Sequence, residues 1–195
     1  TTGKMASRKG NVLTGESILE SLQGAALEKM SGRELGDEKN TIAEAVAVAA
    51  LKFGILKQGT GKNIVFDPQQ SLSFEGDSGP YLQYAHTRAL SVLAKAKAEL
   101  VQPSGAMVPD VVTDLERVLY RFPEVVQRAT VEYEPHYVTT YLTELAGMFN
   151  SWYAAGKIVD PKDPHSPYKL MLTEAFAHTM KNGLWLLGIK APEKM

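Results

Sequence analysis

The chain contains no cysteine, so disulfides and thiolate chemistry are excluded, and the absence fits a reducing compartment. Its four histidines stand at 86, 136, 165 and 178. No pair has the spacing of metal ligands, which argues against a structural zinc site. No uninterrupted apolar run approaches membrane-spanning length. The first residues do not read as a secretory leader, and residue 1 is threonine rather than methionine. The expectation is a cytoplasmic protein, either processed or cut from something longer. Charge of one sign is also lacking: the net is -1 over 195 residues, so bulk electrostatics do not declare a nucleic-acid binder. Distribution says more than the sum. Lys4, Arg8 and Lys9 fall within the first ten residues, where there is no acid, and residues 63–195 lean acidic.

A complete catalytic set is missing too. Asp114 and Glu116 point to different faces of a helix, and Glu132 and Glu134 precede another helix without forming an acid–base pair. The turn GTGKN at 59–63 lacks the first glycine and the final hydroxyl of a phosphate loop, and it comes after a helix, so it reads as a surface turn.

What is present is helical periodicity. Residues 16–30 place Ile18, Leu19, Leu22, Ala25, Ala26 and Met30 at helical spacing, with Thr14 as a cap. A second helix runs from about Thr41 to Gln58, and its many alanines leave room for a neighbouring backbone. Residues 59–79 alternate Ile64, Phe66, Leu72 and Phe74 around Asp67-Pro68, which fits either a pair of short strands or an ordered connection. From Pro80 onward the chain is helical: 80–101, Asp110–Phe122 with Asp110 as cap, a short helix from Pro123 to Arg128, Pro135–Ala155, and a last helix from Ser166 or Pro167 to Leu187. Gly188 is suited to a left-handed cap, and the tail to Met195 reads as anchored.

Two stretches carry chemistry. In the first, a glycine-rich turn at 76–79 feeds a helix opening with Pro80, which sets Tyr81, Tyr84 and Arg88 near one face at spacings of three and four. Two phenols and a guanidinium suit stacking on bases and holding phosphate; the plainer reading is aromatics that pack the helix start. In the second, the cationic loop KMASRKGN at 4–11 is able to close over a polyphosphate; the plainer reading is a solvated basic terminus. His86 reads as a packing or hydrogen-bonding residue, Trp152 as core, and Tyr153 as its surface neighbour.

Four blocks together resemble the arginyl-tRNA synthetases, of class I, in their C-terminal part: KMASRKGNV at 4–12, GPYLQYAHTR at 79–88, FNSWY at 149–153 and NGLWLLGIKAPEKM at 182–195. Their order and spacing match across essentially the whole chain. The resemblance implies an all-α fold, a helical bundle of the class I anticodon-binding type over 78–195. It would be preceded by the tail of a catalytic α/β domain over 1–62 and a linking segment over 63–77. It implies recognition of the anticodon arm of arginine tRNA within a ligase that uses ATP with Mg2+. No cofactor is expected on this piece alone, and no aminoacylation by it. Lys4, Arg8 and Lys9 become candidates for the ATP signature loop, although Ser7 stands where the common pattern has its second lysine. Tyr81, Tyr84, Arg88, Asn150, Tyr153 and Met195 become candidates for tRNA binding, with Tyr153 and Met195 opposite the first helix as a second wall. Two other readings stay open: a non-catalytic helical protein-interaction domain, and a small nucleotide-binding enzyme built around 4–11.

Overall fold

The computed structural model describes residues 14–32 and 36–195. The loop cations Lys4, Arg8 and Lys9 lie outside the described residues. Among those described there are eight α-helices and a single 3-10 turn at Gly36–Glu38, and no strand. Helix α1 (Gly15–Lys29) starts where Thr14 accepts the amide of Ser17 at 3.1 Å. Its Leu22 and Ala26, with Met30 just beyond, are buried against α2 (Lys39–Leu56). Helix α2 carries buried residues on two sides. Ile42, Ala43, Val46, Ala47 and Ala50 belong to the α1 cluster. Ala49 and Phe53 belong to the main core, formed with the later helices.

The stretch 59–79 contains no strand, which removes the paired-strand reading. The reason is local: Asp67 accepts the amides of Gln69 and Gln70 at 2.9 and 3.2 Å, and Pro68 supplies the first position of the short helix α3 (Pro68–Ser71). The aspartate cap and the proline start a helical turn in the middle of the alternation. Phe66 and buried Leu72 pack on the α1–α2 cluster, while Ile64 stays exposed. The turn at 59–63 docks on a distant part of the chain: Thr60 donates its amide to Glu134 Oε2 at 2.9 Å and its hydroxyl to the Tyr133 carbonyl at 3.1 Å.

Helix α4 (Gly79–Ala98) is capped by Ser78, whose Oγ accepts the Tyr81 amide at 3.1 Å. The next helix is shorter than the periodicity predicts. It is α5 (Asp114–Tyr120), and Thr113, not Asp110, caps it. Thr113 and Glu116 form a reciprocal capping box, which satisfies two amides at once and outcompetes a single aspartate cap three residues earlier. Val111 and Val112 consequently sit exposed in the loop. Helix α6 (Phe122–Glu132) ends in a left-handed Tyr133. After it come α7 (His136–Ala154) and α8 (Ser166–Leu186), and Gly188 takes the left-handed conformation its position suggests, with φ of 65°.

The main core is gathered around Phe149 of α7, which stacks on Phe176 of α8 with ring centroids 3.9 Å apart and planes 8° from parallel. Burying each such ring contributes about 1.5–3 kcal/mol relative to exposure. Trp152, half-buried, packs on this cluster and on a smaller one that includes Ile158, Val159 and Leu170. Two glycines mark where helices touch backbone to side chain or closer. A β-carbon at Gly183 would meet Leu142 Cδ2 at 2.5 Å, and one at Gly79 would collide with the carbonyl of Ala49. The alanine stripe of α2 thus does admit a neighbouring backbone, at the first residue of α4.

Gly79→Ala is expected to destabilise the chain by about 2–3 kcal/mol, because backbone rather than a flexible side chain must move. Gly147→Ala, on a helix face with open space, is expected to be neutral or stabilising by up to about 1 kcal/mol. Urea unfolding of both variants checks this; equal midpoints would refute the close-approach argument.

Candidate nucleic-acid interface

The site is built at the first three turns of α4 and the last two of α7. The chain reaches α4 through a left-handed Gly76 and a loop held from both sides. Lys57 pairs with Asp77 at 3.2 Å, and Thr143 donates to the other Asp77 oxygen at 3.4 Å. Ser78 also donates its hydroxyl to the Ser73 carbonyl. These ties fix the height at which Tyr81, Tyr84 and Arg88 leave the helix.

Asn150 joins the two helices. Its Nδ2 donates to the Tyr81 hydroxyl at 3.0 Å, and its Oδ1 accepts from Arg88 Nη1 at 2.5 Å. The Arg88 guanidinium carbon lies 4.9 Å from the Tyr84 ring centre and 5.2 Å from that of Tyr153. The cation is therefore flanked by two aromatic faces, an arrangement stabilised by ring quadrupoles. Phe74, visible in the sequence only as part of an alternating stretch, supports Tyr84 edge-on at 6.3 Å. Its apolar character is legible there; its packing on a helix ten residues later is not.

The structure thus brings together Tyr81, Tyr84, Arg88, Asn150 and Tyr153. It does not bring Met195 to them. The half-buried Met195 packs on the Leu22–Leu72 cluster of α1, α2 and the segment after α3. The expected second wall of Tyr153 and Met195 is therefore two separate places. The cause is the course of the tail, which is bonded to the opposite side of α4: Gln83 Nε2 donates to the Lys190 carbonyl at 2.7 Å, and the His86 ring meets the Pro192 carbonyl at 3.2 Å.

Electrostatically, Arg88 has no ion-pair partner among the described residues. Arg88 is half-buried, and its guanidinium is bonded to a neutral amide that does not offset its charge. Several other charged groups are paired locally. Arg121 pairs with Glu144 at 3.0 Å, and Lys169 pairs with Asp163 at 2.7 Å. Glu116 accepts from Tyr168, a bond that pushes the phenol up to about 12. Burial pushes Glu116 up, but hydrogen bonds from Tyr168 and Thr113 outweigh it and hold the carboxyl low. Among the described residues no three histidines or carboxylates gather to hold a metal ion, and no helix is long and apolar enough to cross a membrane.

Fold and site define an all-helical binding module whose polar centre is one uncancelled cation between aromatic rings. The chain belongs to the family described as the DALR anticodon binding domain, whose model matches residues 82–195. Among similar proteins, the arginine–tRNA ligase of Pyrococcus furiosus is 35% identical over 99% of this chain and 33% of its own length. That of Methanocorpusculum labreanum is 36% identical over 99% and 35%. The solved arginyl-tRNA synthetase of Thermus thermophilus superposes with a TM-score of 0.80 at 34% identity, covering 99% of this chain and 34% of that one. The Plasmodium falciparum arginyl-tRNA synthetase superposes with a TM-score of 0.74 over 92% of this chain and 32% of its own, and at 20% identity it speaks for the fold. The chain spans about a third of the length of the curated relatives it matches.

His86, on the far face of α4, gives the site region a pH signature. Burial lowers its pKa from 6.5, against the raising effect of its bond to Pro192; Lys181 and His178 lower it further and Glu193 opposes them. A lowered folded-state value means that the unfolded chain binds the proton more readily. The stability gained from keeping His86 neutral is present above 6.5 and is lost as pH falls through that value toward the folded one. The melting temperature of the wild type should fall more than that of His86→Asn between about pH 7.5 and about pH 5.5. Parallel falls would show that His86 does not carry the effect.

Proposed function

We propose that this chain recognises the anticodon arm of arginine tRNA as part of an arginine–tRNA ligase. The observation that carries the reading is the Arg88 guanidinium held between the Tyr84 and Tyr153 rings with no carboxylate to cancel it. Single-stranded loop bases present π-faces to rings, and the loop backbone presents phosphate to a cation. Family membership and the ligase relatives support the same reading.

In this reading Tyr84 and Tyr153 receive splayed bases, Arg88 meets phosphate, and Asn150 and Tyr81 hold the guanidinium in place while offering hydrogen bonds of their own. Met195 makes its contact from a separate place, at the end of the tail. Residues 1–62 would be the last part of a catalytic domain, 63–77 the link, and 78–195 the anticodon-binding domain. The α1–α2 cluster apart from the Phe149 core supports that division, and α2 is the shared wall. The ligase as a whole would work in the cytoplasm and join arginine to tRNA with ATP and Mg2+. The described residues offer no donor set for Mg2+. The cations expected to meet ATP, Lys4, Arg8 and Lys9, lie outside them. The helices are assigned recognition on the strength of the Arg88 arrangement.

The test is titration of the 195-residue chain with the anticodon stem-loop of arginine tRNA and with one carrying altered anticodon bases. Preferential binding of the first is expected. Tyr84→Ala and Tyr153→Ala should each weaken it by about 1–3 kcal/mol, the range for one base stacked on one ring. Arg88→Gln should weaken it and flatten its salt dependence. Equal affinity for both loops would favour the alternative of a helical protein-interaction domain, and arginylation by the chain alone would overturn the assignment of recognition only.

A further inference from the structure

The segment after α8 is held in an unusual way. Three alternate carbonyls, those of Gly188, Lys190 and Pro192, each meet a side-chain donor: Lys52 Nζ at 2.5 Å, Gln83 Nε2 at 2.7 Å and His86 Nδ1 at 3.2 Å. Gly188 is left-handed and closes the helix end, and from it onward the segment is held through carbonyls by a row of side chains, where a sheet would supply backbone amides. Between these carbonyls, buried Ile189 and half-buried Ala191 turn into the main core.

Gln83 is the centre of this row. Its second amide proton goes to the Ala45 carbonyl at 3.2 Å, which ties the tail to α2 as well as to α4. Its Oε1 is buried without a hydrogen-bond partner among the described residues. Such an acceptor opposes folding, and an apolar side chain of the same length would not carry that cost. The amide is accounted for by where it puts the tail. A flipped amide would aim oxygen at two carbonyl oxygens, so the orientation has no alternative. For His86 to donate to Pro192, its Nδ1 must bear the proton. Met195 lies three residues beyond this last tie.

We propose that Gln83 and His86 are positioning residues for anticodon-arm binding: a side-chain ladder on the back of α4 that sets the register of residues 188–195 and so places Met195. The proposal rests on the function given above. It makes α4 a common reference for both parts of the recognition surface. One face presents Tyr81, Tyr84 and Arg88; the opposite face holds the tail.

The experiment uses the 195-residue chain and the same stem-loop. Gln83→Met keeps length and removes both donors; His86→Phe removes the ring donor and His86→Asn retains one. Two readouts are taken on each: amide hydrogen exchange of Ile189 to Glu193, and stem-loop affinity. Gln83→Met and His86→Phe should speed exchange at these residues and weaken binding roughly tenfold, while helical content is kept and His86→Asn restores both. Deleting Met195 should weaken binding to a similar degree, and the double change of Gln83→Met with that deletion should be little worse than either alone. Fully additive losses would mean that Gln83 acts on RNA by another route and would overturn the positioning role. Unchanged exchange would overturn the ladder itself. If the wild-type chain does not bind the stem-loop, the functional reading and the positioning role both fail, whereas the exchange arm still decides whether the ladder holds the tail.

Discussion

The recognition end of the molecule depends on one close approach, that of the first residue of α4 to the carbonyl of Ala49 in the middle of α2. Only glycine fits at 79, and only a small residue at 49 lets the two helices come that near. From this contact α4 receives its height and its tilt. Gln83 can then reach Ala45 on α2, and Tyr81 can meet Asn150 on α7. With a larger separation, neither hydrogen bond would span the gap. The Ser78 cap and the Asp77 ties work on the same point, so the start of α4 is held by backbone contact, cap and ion pair together.

A fixed α4 divides labour between its two faces. The rings and the cation face α7, and the amide and imidazole face α2 and the tail. An almost neutral chain can in this way present a concentrated positive centre. Arg121, Arg128 and Lys169 are offset by carboxylates, whereas Arg88 is bonded to an amide that does not offset its charge. Net charge is therefore a poor guide to partners for a protein of this kind; the partner of each individual cation is a better one.

The helices are legible in the sequence because burial on one side imposes a period, and the period survives in every long segment from Thr14 onward. Caps are legible where one signal stands alone, as at Thr14 and Gly188. They mislead where two compete: Asp110 reads as the cap ahead of Thr113, although the pairing of Thr113 with Glu116 satisfies more of the helix start. Alternation at 64–74 suggests strands because a period of two looks the same in a loop whose apolar side chains dock one by one. The candidate site is legible as residues, through the spacing of 81, 84 and 88 and through the family resemblance. Its assembly is only partly so. Spacing tells which residues share a face, not which helix that face meets, and nothing in the side chains around Met195 signals that the tail binds through its carbonyls and leads away from Tyr153. Backbone groups leave no trace in the pattern of side chains.

The alanines of α2 have a consequence for how a disturbance travels. A wall of leucines and methionines absorbs small displacements by changing rotamers. Alanine has no rotamer to change. Helix α2 meets the α1 cluster through Ile42, Ala43, Val46, Ala47 and Ala50 and meets α4 at Ala49, so its own small and β-branched side chains have little rotamer freedom with which to absorb a shift between the two sides. Helix α2 is thus a stiff spacer between the α1 cluster and the start of α4, the helix that carries Arg88.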